Sequence, residues 1–434
     1  MQKRPSVFEM TGESVTHIFR TRWLAIAGST LFGLACVISL LPGLPNKPQH
    51  PLAHVPASGS TQGILKPGNR QACEERTRNP QWSQRRIWTP SNPAPAPLMS
   101  LEKPHDRALA IGFYVNWDAS SYSSLRRALP TLDWVIPTWT TVGGPNMALN
   151  ADIDSKALQL IRTLKPATPI LPLLQNTFEG KWDGEGLARM LENPAMRQAR
   201  IAEIVSFLDA HHFQGVTIDF EEVTPAMHHA LKAFLSELRL AFLPHGWAIV
   251  LSVPFDDASW DYAGYAKLVD FELLMGYDQH WGGKQAGSIA AKGWFERTLH
   301  KRMKQLDPEH TIIALGSYGY DWAAGSNAEV LTFDDALRRA ANSQAHISFD
   351  FRTQNPHYSY NDHAGIAHQV WFLDGITASN QIHAADNYKP YAYVSSPAWL
   401  LVLLTNRSGR FWRHARIACK GVLCPNAVWG KWSL

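Results

Sequence analysis

Asp219 and Glu221 stand two residues apart in the stretch FQGVTIDFEEV. On an extended strand this spacing puts Thr217, Asp219 and Glu221 on one face and Ile218, Phe220 and Glu222 on the other. The rise over two residues is roughly 6.6 Å, which lets two carboxylates meet across a single sugar residue. Two carboxylates so close cannot both ionise freely, so one is expected to keep its proton toward neutral pH and act as a general acid. The spacing also fits a plainer arrangement, in which acidic residues after a strand cap the next helix or pair with a lysine. Glu222, on the opposite face, is assigned to that plainer role.

The elements that must position this pair follow from the apolar pattern. After Pro104, short apolar runs alternate with amphipathic stretches: LAIGFYV (109–115), DWVIPTW (133–139), PILPLL (169–174), GVTIDF (215–220), WAIVLSV (247–253), FELLMGY (271–277), TIIALGS (311–317) and HQVWFL (368–373). Between them lie helical patterns such as Ile201, Ile204, Val205 and Leu208, or Leu231, Phe234, Leu235 and Leu238. Eight apolar strands alternating with helices predict a parallel sheet covered by helices, closed as a (β/α)8 TIM barrel. An open doubly wound sheet is the rival arrangement. In a barrel the chemistry sits at the C-terminal strand ends. In chain order these carry Tyr114, Asn116 and Trp117; Trp139; Gln175; Asp219 and Glu221; Pro254, Phe255 and Asp256; Tyr277 and Asp278; Tyr318, Tyr320 and Asp321; and Trp371 and Asp374. Carboxylates and aromatics dominate the set.

The chain has 434 residues, 45% hydrophobic and 18% charged, with four cysteines, enough apolar residues to bury one large core. A net charge of +4, spread along the chain, excludes the dense basic stripe of a nucleic-acid footprint. Seventeen tryptophans fit either ordinary core or the lining of a site for a flat ligand. Residues 23–41, WLAIAGSTLFGLACVISLL, carry no charge and follow Lys3, Arg4, Arg20 and Arg22, which predicts a cytoplasmic tail (1–22) and a single-pass membrane anchor (23–42). The rest of the chain is then expected outside the cytoplasm. Residues 43–104 read as a proline-rich linker, 105–386 as the barrel, and 387–434 as a C-terminal tail without barrel periodicity. Cys419 and Cys424 could form a disulfide in an oxidising compartment. No metal-ligand spacing, dinucleotide loop or Walker motif is present, so neither a metal nor a cofactor is expected.

These residues carry a resemblance. Residues 214–221, QGVTIDFE, resemble the strand-four signature D-G-x-D-x-D-x-E of glycoside hydrolase family 18, the chitinase-like barrels. Gly215, Asp219 and Glu221 match, whereas Gln214 and Thr217 replace the first two acidic positions. MGYD (275–278) resembles the family's strand-six M-x-Y-D, and Trp371 in VWFLD resembles its strand-eight tryptophan. GYDW (319–322) and MGYDQHW are similar to the spore-germination-type branch. IGFYVNWD and LDWVIPTW are similar to the family-18-like domains fused to polysaccharide deacetylases and glycosyltransferases.

The resemblance implies a retaining, substrate-assisted cleavage of β-linked N-acetylglucosamine polymers such as peptidoglycan, chitin-like chains or an exopolysaccharide. It implies Glu221 as the acid, Asp219 holding the acetamido N–H, Tyr277 bonding the acetamido oxygen and Asp278 binding the distorted sugar. Trp371 would floor the ring, with Met275, Tyr114, Trp117 and Tyr320 as further substrate-binding positions. Thr217 brings no charge, but its hydroxyl can donate to Asp219. Two other readings stay open: a glycan-binding barrel serving polysaccharide synthesis or export without cutting, and a scaffold barrel whose Trp and Tyr residues are buried in the core.

Overall fold

The computed structural model describes residues 107–283 and 285–395. The expected tail, anchor and linker, the Cys419 and Cys424 pair and most of the expected C-terminal tail lie outside these residues. Among the described residues no helix is long and apolar enough to cross a membrane.

In chain order the strands are β1 (Leu109–Tyr114), β2 (Trp134–Pro137), β3 (Thr140–Gly143), β4 (Ala148–Ala151), β5 (Leu173–Gln175), β6 (Thr177–Phe178), β7 (Lys181–Trp182), β8 (Gly215–Asp219), β9 (Ala248–Pro254), β10 (Phe271–Met275) and β11 (Thr311–Ala314). There follow β12 (Tyr318–Ala323), β13 (Glu329–Thr332), β14 (Ser348–Asp350), β15 (Asn355–Asn361), β16 (Ala367–Phe372) and β17 (Ala392–Ser395). The main sheet has the order β2-β1-β17-β11-β10-β9-β8-β5-β3-β4, parallel throughout except for the β3–β4 hairpin. The second strand is split at Thr138 and Trp139. Its first half pairs with β1 and its second half with β5, while Val135 bridges Ile170 just ahead of β5. The sheet therefore curls back on itself, an α/β barrel-like fold and not an open doubly wound sheet.

Two apolar layers follow from the strand period of two. Ile111, Ile136, Leu173, Val250, Leu273, Ile312 and Val394 fill the inside of the curl. Val135, Leu174, Val216, Ile218, Ile249, Leu251, Leu274 and Ile313 face outward against the helices. Ile201, Ile204 and Leu208 of the helix Pro194–His211, and Leu231, Phe234, Leu235 and Leu238 of the helix His228–Phe242, seal that outer layer as their spacing requires. Asp154 and Asp183, after strands, and Asn193, between two helices, begin helices by accepting backbone N–H groups, so several acidic and amide residues are caps.

The eighth strand differs from expectation. HQVWFL forms β16, an antiparallel strand of a five-stranded sheet, β13-β12-β16-β15-β14, inserted between β11 and the helix Gly375–Asp386. The parallel strand that fills the gap between β11 and β1 is β17, at residues 392–395, inside the stretch expected as a tail. An apolar run records burial but not which sheet buries it, and β17, read only as AYVS, is too short to stand out.

Candidate active site

Strand β8 turns Asp219 inward, in phase with Thr217, while Val216 and Ile218 lie in the outer layer. Beyond its end the chain leaves the ladder, and Glu221 is fixed by its backbone. Asn176, fully buried, accepts from Glu221 N at 2.8 Å through Oδ1 and donates Nδ2 to Glu221 O at 3.0 Å. Glu222 adopts a left-handed φ of 59° and swings outward, where its Oε2 accepts from Gly184 N at 3.3 Å. The neighbouring carboxylates thus point apart, one into the mouth and one toward a helix start.

On β10, Met275 joins the inner layer and Tyr277 sits above it, half-buried. Asp278 follows with a left-handed φ of 62°, a conformation a non-glycine residue keeps only when its surroundings enforce it. The inserted sheet supplies that enforcement. The Tyr318 hydroxyl donates to Asp278 Oδ1, and the Tyr320 hydroxyl donates to the same oxygen at 3.0 Å.

Asp219 and Glu221 keep part of their surface open at the mouth, yet both are enclosed enough to hold protons above the ordinary range. Burial pushes Glu221 up to about 8, helped by the negative charges of Asp219, Asp278 and Glu222. Burial also raises Asp219, while hydrogen bonds from Gln175 and Ser252 pull the other way. Tyr277 is raised well above its ordinary value by burial and by Asp219, Asp278 and Glu221, so its hydroxyl remains a donor. The mouth therefore holds one protonated acid, one carboxylate steadied by neutral donors, and phenols that keep their protons. Among the described residues no group of three His, Cys, Asp or Glu side chains is arranged to hold a metal ion.

Asp219, Glu221, Tyr277 and Asp278 are thus brought together, with Met275 beneath them. Other expected positions fall elsewhere. Tyr114 is 1% exposed and points outward, because the inner face of β1 carries Leu109, Ile111 and Phe113. Its hydroxyl donates to Asp154 Oδ2 at 2.5 Å and its ring packs edge-on against the buried Trp139, so it is a core residue and not a substrate contact. Trp117 is half-buried between β1 and the helix Ala119–Ala128. Tyr320 is buried and serves Asp278. Trp371, on β16 opposite Tyr320, belongs to a cluster with Tyr277 and Tyr318, but it is not on a barrel strand, and its ring stacks on His357 at 4.4 Å. A floor at the end of the eighth strand is therefore not its place.

Thr217 does not donate to Asp219. Its hydroxyl, fully buried, donates to the carbonyl of Leu171 at 3.4 Å. The remaining strand-end carboxylates are structural. Asp321 is 2% exposed between Arg339, Tyr360 and His368, Asp374 caps the helix Gly375–Asp386, and Asp256 lies on the rim near Trp294. Asn176 and Ser252 escaped the sequence reading. An amide pairing across 45 residues leaves no mark in spacing.

A family model described as glycosyl hydrolases family 18 matches residues 139–401. A Bacillus subtilis protein, YdhD, whose name describes a sporulation-specific glycosylase, is 29% identical over 272 residues, covering 59% of this chain and 64% of its own length. The chain thus spans just under two thirds of that relative. The crystal structure of the Bacillus cereus spore cortex-lytic enzyme SleL aligns with a TM-score of 0.60 at 20% identity, over 70% of this chain and 75% of that one. A chitinase from Cycas revoluta in complex with (GlcNAc)3 aligns with a TM-score of 0.58 at 16% identity, over 70% of this chain and all of that one. At these identities the two structures speak to fold alone.

Proposed function

The chain belongs to glycosyl hydrolases family 18, and from that membership we propose that its barrel mouth hydrolyses β-linked N-acetylglucosamine polymers, with the substrate's own acetamido group as nucleophile. Glu221 gives its proton to the glycosidic oxygen as the bond from that oxygen to the anomeric carbon breaks. The acetamido carbonyl oxygen forms the new bond to that carbon, and the positive charge spreads over the amide, whose N–H is held by Asp219. Tyr277 donates to the acetamido oxygen and orients it, while Asp278 binds the distorted sugar. A water then attacks the anomeric carbon as its bond to the acetamido oxygen breaks, and gives a proton to Glu221, leaving the configuration retained. The nucleophile belongs to the substrate, so the protein supplies only an acid, an orienting anion and fixed donors.

The observation that carries this reading is the enclosed pair of Asp219 and Glu221, in which Glu221 stays protonated up to about 8. Membership of the family, whose resemblance implies N-acetylglucosamine polymers, supports the polymer class. The test is to incubate the full chain with N-acetylglucosamine oligomers and with peptidoglycan sacculi and to count new reducing ends. The expected result is release by the parent and none by Glu221→Gln; no release from any of these polymers sinks the proposal.

One observation favours a second reading, a glycan-binding barrel that does not cut. Thr217 leaves Asp219 without a carboxylate behind it. That reading expects saturable oligomer binding by calorimetry with no new reducing ends. The proposal further includes an anchor at residues 23–42 that places the barrel outside the cytoplasm, supported by the uncharged run and its basic flank. A reporter fused after Pro104 that is active only inside the cell would overturn that part.

A further inference from the structure

Asp219 is gripped from both sides by groups that do not titrate. Gln175 Nε2 donates to Asp219 Oδ2 at 2.9 Å, and the Ser252 hydroxyl on the opposite neighbouring strand lies where it lowers the titration of the same carboxylate. Both come from the strands that flank β8. Gln175 lies in register opposite Asp219 on β5, and Ser252 follows Leu251, the partner of Ile218, on β9. Ser252 is buried, 4% exposed. One step down the same face, Thr217 is spent on the Leu171 carbonyl. The titratable groups that face Asp219 are Glu221, from beyond β8, and Tyr277, from beyond β10, with Asp278 next in line against both of them.

Resting on the substrate-assisted reading above, we propose that Gln175 and Ser252 are positioning residues that favour the ionised form of Asp219 against burial and aim it at the substrate N–H, replacing with two neutral donors the acidic neighbour that the family pattern places at position 217. The difference is chemical. An acidic neighbour can take a proton from Asp219 and give it back, whereas an amide and a hydroxyl offer hydrogen bonds without titrating. Asp219 here has no buried store for a proton on its inner side, and its ionisation is set by those two donors against the burial of the site. The low-pH limb of activity then reports Asp219 itself.

The test uses the full chain with carboxyl-labelled aspartate, following the Asp219 signal by NMR across pH and assigning it by its loss in Asp219→Asn. The pH dependence of kcat/KM on an N-acetylglucosamine oligomer is measured alongside. Removing one hydrogen bond to a carboxylate raises its titration by about one unit, so Ser252→Ala and Gln175→Leu are each expected to move the Asp219 midpoint and the low-pH limb upward together. Ser252→Thr, which keeps the hydroxyl, restores the parent midpoint. Should Gln175→Leu fail to fold, Gln175→Glu replaces it: the new carboxyl shares a proton with Asp219, and the signal titrates in two steps. Midpoints unchanged in Ser252→Ala and in the folded Gln175 variant overturn the proposal, whatever happens to kcat. A parent that cuts no such polymer counts against the hydrolase reading alone, since the Asp219 titration still decides the role of its two donors.

Discussion

Asn176 holds Glu221 by the main chain, its side-chain amide closing a ring with Glu221 N and O at 2.8 and 3.0 Å. The acid of the site is thus placed by a buried residue that never touches its carboxyl group. Replacing Asn176 with Ala removes both bonds and leaves a buried N–H and C=O unpaired, at about 1 to 3 kcal/mol each. We expect kcat to fall by roughly one to two orders of magnitude, by analogy with other misplaced catalytic groups, with KM little changed and a lowered melting temperature. Unchanged kcat in folded protein would show that Glu221 holds its place without the clamp.

Glu221→Gln keeps the shape of the acid but not its transferable proton, and general acid catalysis is worth roughly 100- to 10,000-fold. Turnover should fall by that factor while oligomer binding persists. Glu222→Gln, whose side chain faces Gly184 outside the mouth, should retain activity. Equal losses in both variants would mean that the acid has been assigned to the wrong carboxylate.

The proton on Glu221 also fixes the sign of the pH response. The acid works in its protonated form, which persists up to about 8, so kcat/KM should decline as pH rises through that value. Below it, activity should hold until Asp219 takes up a proton. A profile flat through pH 9 would contradict the raised acid.

Tyr318 and Tyr320 both donate to Asp278 Oδ1 and hold it in its left-handed conformation. A hydrogen bond to a charged group contributes about 1.5 to 3 kcal/mol. Tyr318→Phe and Tyr320→Phe should therefore each weaken kcat/KM by roughly ten- to a hundredfold, if that stabilisation is expressed in the transition state. Crystal structures of the variants should show Asp278 turned away from the mouth. An Asp278 that stays in place with activity intact would remove the inserted sheet from the mechanism.

Glu272 is 2% exposed in the outer layer of β10, and neither of its carboxyl oxygens has a hydrogen-bond partner. Burial raises it to about 8, Arg302 opposing and Asp261 adding to the shift. A carboxyl whose folded pKa lies above its unfolded value stabilises fully below the unfolded pKa, and that contribution is lost as pH rises through the folded pKa. Unfolding free energy measured in urea should therefore decline from about pH 5 to 9, and Glu272→Gln should flatten part of the decline. Identical slopes in the two proteins would place the titration elsewhere.

The phase of β8 was legible because apolar and polar residues alternate cleanly there, so Asp219 and Glu222 could be assigned to opposite sides. The phase of β1 was not. Leu109, Ile111 and Phe113 line the inner face, but Tyr114 at the strand end reads as a site residue until the parity is known, and a shift of one residue reverses every face. Trp371 was misplaced for a related reason: β16 has the composition of a buried barrel strand, and only pairing separates the two. The Gln175 bond to Asp219 and the Asn176 clamp on Glu221 join residues 44 and 45 apart, contacts set by how neighbouring strands register. No local pattern encodes them.

The position of β17 between β11 and β1 has a consequence for the order of assembly. Strand β1 leaves the ribosome among the first elements of the fold, yet one of its two partners is made roughly 280 residues later. At typical synthesis rates that interval is about a quarter of a minute to a minute. Through it the inner strand of the future ring presents an unpaired edge able to recruit other chains. The slow step of folding in the cell should then be the arrival of residues 392–395, and chains cut short before them should aggregate, although every residue of the Asp219 and Glu221 site has already been made.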